Sequence, residues 1–169
     1  MAIIITIVTY FFMPELTIWF GILHFLGIAL ILYSFIEKPM DNISFRYGAF
    51  VSLLLFVLLF NVPQRYIGIL PYPYLRIPDG LYQYYWLSFF GFPSTEFTSG
   101  DYFPIIPHIF LFSFGVFAGK IIKEKKLPDF VYQKHILPLD FIGRHALIIY
   151  LVHQPVIVGI LYGISLSGM

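Results

Sequence analysis

A histidine lies inside a long apolar segment near the end of the chain. His153 belongs to the run 146–164, which as a helix is long enough to cross a bilayer. An ionisable group at membrane depth costs free energy unless it pairs or lines a wet cavity, so it indicates a functional site. Pro155 donates no backbone hydrogen bond, which leaves the carbonyl of Leu151 free. The segment therefore predicts an imidazole, the Gln154 amide and a free carbonyl together, suited to a general base, a proton relay or a donor in a pocket.

These side chains also have structural interpretations. Tyr150, one turn before His153, could satisfy the imidazole, and Gln154 could form a hydrogen bond between helices. A second histidine, His24, shares a helical face with small residues such as Gly21, so we expect it to point into protein. It lies roughly 10 Å below the surface, and it could border the same cavity as His153. The alternative is a buried ring with hydrogen-bond partners.

The composition predicts an all-α, polytopic membrane protein. Of the 169 residues, 59% are hydrophobic and 11% are charged, and the mean hydropathy is +0.84. Soluble domains carry about 25% charge. The net charge of +1 argues against nucleic-acid binding. The chain has no cysteine, which excludes disulfides, thiol nucleophiles and thiolate metal sites. We expect no metal, because the sequence contains no metal-binding cluster. A phosphate-binding loop and a dinucleotide fingerprint are also absent from the sequence.

Long apolar runs predict the membrane spans. We read the chain 1–169 as one membrane domain, a transmembrane helix bundle. Full spans are predicted at 17–36, 47–62, 105–122 and 146–164. The run 2–13 comes first and would reach only about 20 Å as a helix, against a hydrocarbon core of about 30 Å. We therefore expect a partial span there, with N-terminal sequence missing upstream.

The basic residues predict the orientation. Eight of the ten Lys and Arg residues lie on one side of a consistent up-and-down arrangement of the spans, and only Arg65 and Arg76 lie on the other. Positive residues concentrate in cytoplasmic loops. We therefore expect a multi-pass protein of the cell membrane, with its N-terminus in the cytoplasm and its C-terminus outside.

A long outer loop, 63–102, is rich in proline and aromatic residues. Its five prolines exclude a long helix. The aromatic run 81–90 is too short to span and suits a helix that lies in the membrane interface or dips back into the membrane. Trp86 and its neighbouring tyrosines fit an aromatic belt, or alternatively a stacking wall for a sugar ring. Asp101 and His108 follow where the chain re-enters the membrane, and they could form a polar cluster at a helix N-terminus or the mouth of an outer pocket.

Basic and small residues each leave two interpretations. Lys120 and Lys123 open an inner loop whose charge is ordinary for the cytoplasmic leaflet, but it could also attract the phosphates of a cytosolic cofactor. Two GxxxG pairs favour close helix packing inside the bundle, and the alternative is a contact in a homodimer. These pairs are Gly115 with Gly119 and Gly159 with Gly163.

Three stretches, which we call the signature segments, resemble one protein family. Residues 18–27 read IWFGILHFLG, residues 101–119 contain DYFP and later FGVFAG, and residues 141–155 read FIGRHALIIYLVHQP. They resemble the catalytic-domain family of heparan-alpha-glucosaminide N-acetyltransferase, in particular its prokaryotic relatives. The resemblance covers about residues 17 to 164. Members usually begin with a helix that bears an Arg-Gly pair and, further on, a histidine associated with acyl transfer, and this chain matches neither.

The resemblance implies a membrane acyltransferase. Such an enzyme takes an acyl group, here expected to be acetyl, from acyl-CoA on the cytosolic side and delivers it to a sugar or glycan acceptor across the membrane. In this hypothesis an imidazole removes the proton of the acceptor. We expect the base to be His153 first and His24 second, with Tyr150 and Gln154 orienting the ring or the acyl oxygen. The acceptor would meet Asp101, His108 and Trp86, and the CoA phosphates would meet Arg144, Lys120 and Lys123.

Another class fits the same features. A helix interrupted at Pro155, with polar groups near the midplane, is also typical of a transporter or flippase for a polar lipid or sugar. Against it, no inverted repeat is visible and few spans carry charges. A third hypothesis is a membrane protein with only a structural role.

Overall fold

Helices dominate the computed structural model of this protein, and strands account for little of it. The structure describes residues 1–69, 72–124 and 137–166. The chain divides into two compact units, Met1–Lys126 and Leu127–Met169. The mostly helical architecture agrees with the predicted helical class, and the single membrane domain stays a prediction.

The first unit contains three described helices that are long and apolar enough to cross a membrane. They are α2, α3 together with the short turn that continues it to Gln64, and α4. The shorter α1 corresponds to the predicted partial span. The bounds are Ala2–Phe12 for α1, Ile22–Asp41 for α2, Phe45–Leu59 for α3 and Ile105–Lys123 for α4. The chain is therefore a membrane protein, as its composition predicts.

The start of α2 differs from the prediction. The apolar run begins at Thr17, but the helix begins only at Ile22. Gly21 has an extended backbone, and the residues before it, including Thr17 and Phe20, are buried in non-helical conformations. A run of apolar residues reports burial, and it does not distinguish a helix from an extended segment that is paired elsewhere.

A close contact joins α3 and α4. Gly48, Ala49 and Ser52 form the buried face of α3, and Phe117 of α4 is 3% exposed. A Cβ atom at position 48 would overlap the ring of Phe117. The missing side chain thus lets the two helices approach.

Contacts along the helices give their directions. Phe25, near the start of α2, lies 6.0 Å from His108, near the start of α4, whereas Asp41 and Lys120 pair near their ends. These two helices therefore run parallel. Because Phe56, late in α3, also contacts His108, α3 runs antiparallel to both. We call the end with His108 the loop end and the end with Lys120 the lysine end.

The connection 61–104 covers the loop end with short elements. An antiparallel hairpin, β1 Tyr66–Ile69 and β2 Tyr72–Arg76, carries a bulge between Ile67 and Gly68. Three 3-10 turns accompany it, Val62–Gln64, Asp79–Tyr82 and Tyr85–Phe90. The expected interface helix at 81–90 is thus replaced by two 3-10 turns, and the hairpin was not predicted.

One buried and one partly buried phenol, those of Tyr82 and Tyr102, fix this connection. The Tyr82 hydroxyl donates to the carbonyl of Val62, and the Tyr102 hydroxyl donates to the carbonyl of Ser88 over 2.6 Å. Burial raises the pKa of both phenols, because it disfavours their charged form. Both therefore stay protonated donors at neutral pH.

The second unit contains two described helices. They are α5, Leu137–Arg144, and α6, Ala146–Leu166, separated at His145. The 21 residues of α6 cover the predicted span 146–164, and at the usual rise such a helix is about 30 Å long, close to the hydrocarbon thickness of a bilayer.

Candidate active site

The first two signature segments meet at the loop end. The backbone N–H of Gly100 donates to the carbonyl of Thr17 over 3.2 Å, and the N–H of Phe103 donates to the carbonyl of Phe20 over 3.0 Å. The residues that precede α2 are therefore paired with those that precede α4. This pairing explains why α2 starts late and brings distant polar side chains together.

Asp101 caps α2 from outside that helix. Its Oδ2 accepts a hydrogen bond from the N–H of Ile22 over 3.0 Å. The N-cap residue, Gly21, has no side chain to do this, and a Cβ atom there would overlap Oδ2. A carboxylate is stabilised at a helix N-terminus, where N–H groups lack partners. The interpretation of Asp101 as a helix N-terminal residue thus agrees with the structure, although the helix is α2 and not α4.

Both ring nitrogens of His24 are engaged. The N–H of Gly21 donates to Nδ1 over 3.4 Å, and Nε2 lies 3.2 Å from the hydroxyl oxygen of Thr6. That hydroxyl donates its only proton to the carbonyl of Ile18 over 2.8 Å, so its oxygen accepts from Nε2–H. The network assigns the ring proton to Nε2 and leaves no lone pair on His24 for an incoming group. The ring joins α1 to the start of α2.

His108 has a different environment. Its Nδ1–H donates to the carbonyl of Pro104 over 2.9 Å. Its ring stacks on Phe103 with the centroids 3.6 Å apart, and the rings of Phe25 and Phe56 lie at 6.0 and 6.2 Å. In the part of the chain that the structure describes, Nε2 has no hydrogen-bond partner. The Pro104 carbonyl is therefore the hydrogen-bond partner of His108 in the described part of the chain.

Trp86 is exposed at the loop end. It lies on the 3-10 turn Tyr85–Phe90 with 59% of its surface accessible. Its ring contacts those of Tyr84 and Phe90 at 6.5 and 6.3 Å. This exposed row of rings is compatible with both predicted roles, a membrane-interface belt and a stacking wall.

The predicted cofactor residues of the first unit lie at the lysine end. Lys120 Nζ is 2.5 Å from Asp41 Oδ1 and 5.5 Å from the centroid of the Phe117 ring. Lys123 is exposed in the last turn of α4. Lys120 is thus already paired, and Lys123 is open to solvent.

In the second unit, His153 Nδ1–H donates to the carbonyl of Tyr150 over 2.5 Å, and its side chain is exposed within that unit. Tyr150 does satisfy the ring, through its backbone and not through its hydroxyl. Arg144 is exposed at the end of α5. The side chain of Gln154 lies outside the described residues.

The comparisons with known proteins decide the family. Residues 1–155 match the family described as Heparan-alpha-glucosaminide N-acetyltransferase, catalytic. The chain belongs to this family. No match was found among curated proteins or among solved structures. The resemblance of the signature segments is therefore confirmed.

Membership in the heparan-alpha-glucosaminide N-acetyltransferase family indicates a membrane N-acetyltransferase, and the three membrane-length helices agree with it. The family uses acetyl-CoA as donor. The described residues contain no group of three or more His, Asp or Glu side chains arranged to hold a metal ion.

Sequence reasoning missed two members of the loop-end site. Thr6 holds the His24 ring, and Phe103 stacks on His108. The two threonines in the mostly apolar run 2–13, Thr6 and Thr9, were a usable signal, because hydroxyls there need partners. Phe103 lies in the DYFP motif, but nothing in the sequence indicates that its ring stacks on His108.

Proposed function

We propose that this protein is an integral-membrane acetyltransferase that moves an acetyl group from acetyl-CoA, or another acyl group from its acyl-CoA, to an amine or hydroxyl of a sugar or glycan. The observation that carries the proposal is the family match over residues 1–155. The membrane-length helices support it, because they suit an enzyme that works at a bilayer.

The reaction needs a base. The acceptor attacks the thioester carbonyl carbon, the carbon–sulfur bond breaks, and the acceptor's proton ends on the thiol of CoA. An imidazole can carry this proton from the acceptor to the leaving thiolate. His153 and His108 both donate Nδ1–H to a backbone carbonyl, which leaves Nε2 for this task. Either one meets the chemical requirement, whereas His24 has both nitrogens occupied and acts as a positioning residue.

The remaining candidates divide between donor and acceptor. At the loop end, Asp101 orders the polypeptide around the acceptor and Trp86 offers a ring face to a sugar. Lys123 and Arg144 are exposed and carry the charge that CoA phosphates require. Lys120, held in its ion pair with Asp41, adds to this positive charge. The Tyr150 carbonyl orients the His153 ring, and Gln154, next to His153 in the sequence, stays a candidate for the same task.

The test is direct transfer. The protein, purified and placed in lipid vesicles, is given acetyl-CoA labelled in its acetyl group together with amino sugars and oligosaccharides. We expect label in the sugar and release of free CoA. If the protein neither releases CoA nor labels any acceptor, the proposed acetyltransferase activity is wrong. Passage of unlabelled sugar across the vesicle without transfer would instead support the transporter hypothesis.

A further inference from the structure

The ring of His108 is fixed on three sides. Its Nδ1–H is held by the carbonyl of Pro104 at 2.9 Å, and one face stacks on Phe103 at 3.6 Å. Phe25 of α2 and Phe56 of α3 contact it as well. Groups from both neighbouring helices and from the segment before α4 thus determine where the ring points. An orientation fixed before substrate arrives is what proton transfer requires.

The orientation also fixes the proton. A carbonyl oxygen can only accept, so Nδ1 carries the hydrogen, and the lone pair of an imidazole with one proton then lies at Nε2. No described residue supplies a hydrogen bond to this atom. His24 provides the contrast within the same unit, since Thr6 and Gly21 occupy its two nitrogens.

The location suits an acceptor. His108 lies in the first turn of α4 at the loop end, close in sequence to Asp101, whose segment is paired with the start of α2. The lysine end, which carries the exposed positive charge of α4, is at the other end of that helix. His108 is only partly buried there, so an acceptor bound at the loop end would not have to cross the length of the helices to reach it.

We propose that His108, rather than His153, accepts the proton of the acceptor during acetyl transfer; this rests on the proposed function. Nε2 takes the proton from the acceptor's amine or hydroxyl while the acceptor's nitrogen or oxygen forms a bond to the acetyl carbonyl carbon. The carbon–sulfur bond breaks, and the imidazolium returns the proton to the CoA thiolate. The ring ends in its starting form, and no other reactant is needed.

The decisive variant is His108→Asn. An asparagine amide can replace Nδ1–H as the donor to Pro104, but it has no basic nitrogen at the position of Nε2. We expect kcat for acetyl transfer to fall by about 10²- to 10⁴-fold, with little change in KM for acetyl-CoA and with unchanged helicity and thermal unfolding in detergent. His145→Asn is the matched control, because His145 Nδ1 also donates to a carbonyl four residues earlier, that of Phe141 at 2.9 Å.

A rescue experiment separates chemistry from packing. Added imidazole should restore part of the activity of His108→Ala, since the vacated aromatic site can admit the free base, and it should not restore His24→Asn. If His108→Asn keeps the wild-type kcat while His153→Asn loses it, the role of His108 is wrong. The proposed acetyltransferase function would then still stand. An inactive wild-type protein would instead overturn the proposed function.

Discussion

The loop end and the lysine end of α2, α3 and α4 are built in different ways. At the loop end, backbone pairing, a distant carboxylate and two oriented imidazoles fix each polar group against a particular partner. At the lysine end, Lys120 of α4 pairs with Asp41 of α2, and these side chains are 25% and 56% exposed. Geometry is therefore specified at one end of the helices, whereas the other end mainly carries charge.

The largest effect on stability is expected at Gly21. In Gly21→Ala the new methyl group overlaps Asp101 Oδ2 and the side chain of Ile18, so the cap must move. Forced overpacking of this kind costs about 1–3 kcal/mol in the free energy of unfolding. The measurement is chemical denaturation in detergent.

Gly27→Ala is the matched control, because a Cβ atom at position 27 meets no described atom within 4 Å. This change should leave the stability unchanged or raise it by about 0.5–1 kcal/mol, since alanine favours a helix interior. Equal destabilisation by both variants would contradict the special fit of Gly21.

Removal of the cap itself should come next. Asp101→Ala deletes the oxygen that accepts from the N–H of Ile22, and loss of such a cap costs about 1–2 kcal/mol. Asp101→Asn keeps an acceptor oxygen without the charge, so its loss should be smaller. Acetyl transfer should decline in the same order. If the alanine and wild-type proteins unfold at the same denaturant concentration, Asp101 does not hold α2.

A pH effect is expected from Tyr102. Burial raises the pKa of its phenol above the usual value near 10 in an unfolded chain. Its contribution to stability is therefore complete below about pH 10 and is lost as the pH rises from there through the folded-state pKa. Tyr102→Phe should lose about 1 kcal/mol at neutral pH with the hydrogen bond to Ser88. The stability of the variant should also fall less with rising pH than that of the wild-type protein. Equal losses of stability in the two proteins between pH 9 and 11 would contradict this.

The smallest change in stability is expected at the lysine end. Lys120→Met breaks a pair of partly exposed groups, and such pairs contribute about 1 kcal/mol or less. The sharper readout is KM for acetyl-CoA. Asp41→Asn leaves the ammonium group unpaired, so it should lower KM if Lys120 meets CoA phosphates, and Lys120→Met should raise it. An unchanged KM in both variants would limit Lys120 to the ion pair.

The sequence predicted the membrane helices well because long apolar runs report burial in lipid. It did not predict where α2 begins, because the partner of its first residues lies near Gly100. The hairpin was missed for a related reason. Its strands are short, and Pro73 within β2 reads as a break.

The chemistry of the histidines was only partly predictable. The sequence shows that His24 and His108 are polar residues within apolar stretches. Whether a ring nitrogen stays without a partner depends on Thr6 and Gly21 for His24 and on the carbonyl of Pro104 for His108, and these contacts exist only after folding. The GxxxG pattern did not indicate the α3–α4 contact: a Cβ atom at Gly115 or Gly119 would meet no described atom within 4 Å, whereas one at Gly48 would overlap the ring of Phe117.

The cap on α2 has a consequence for biosynthesis. The donor at Ile22 and the acceptor at Asp101 are 79 residues apart. At the usual pace of translation, Asp101 leaves the peptidyl transferase centre on the order of several seconds after Ile22. The hydrogen bond that caps the first turn of α2 therefore cannot form until the segment that leads into α4 has been synthesised.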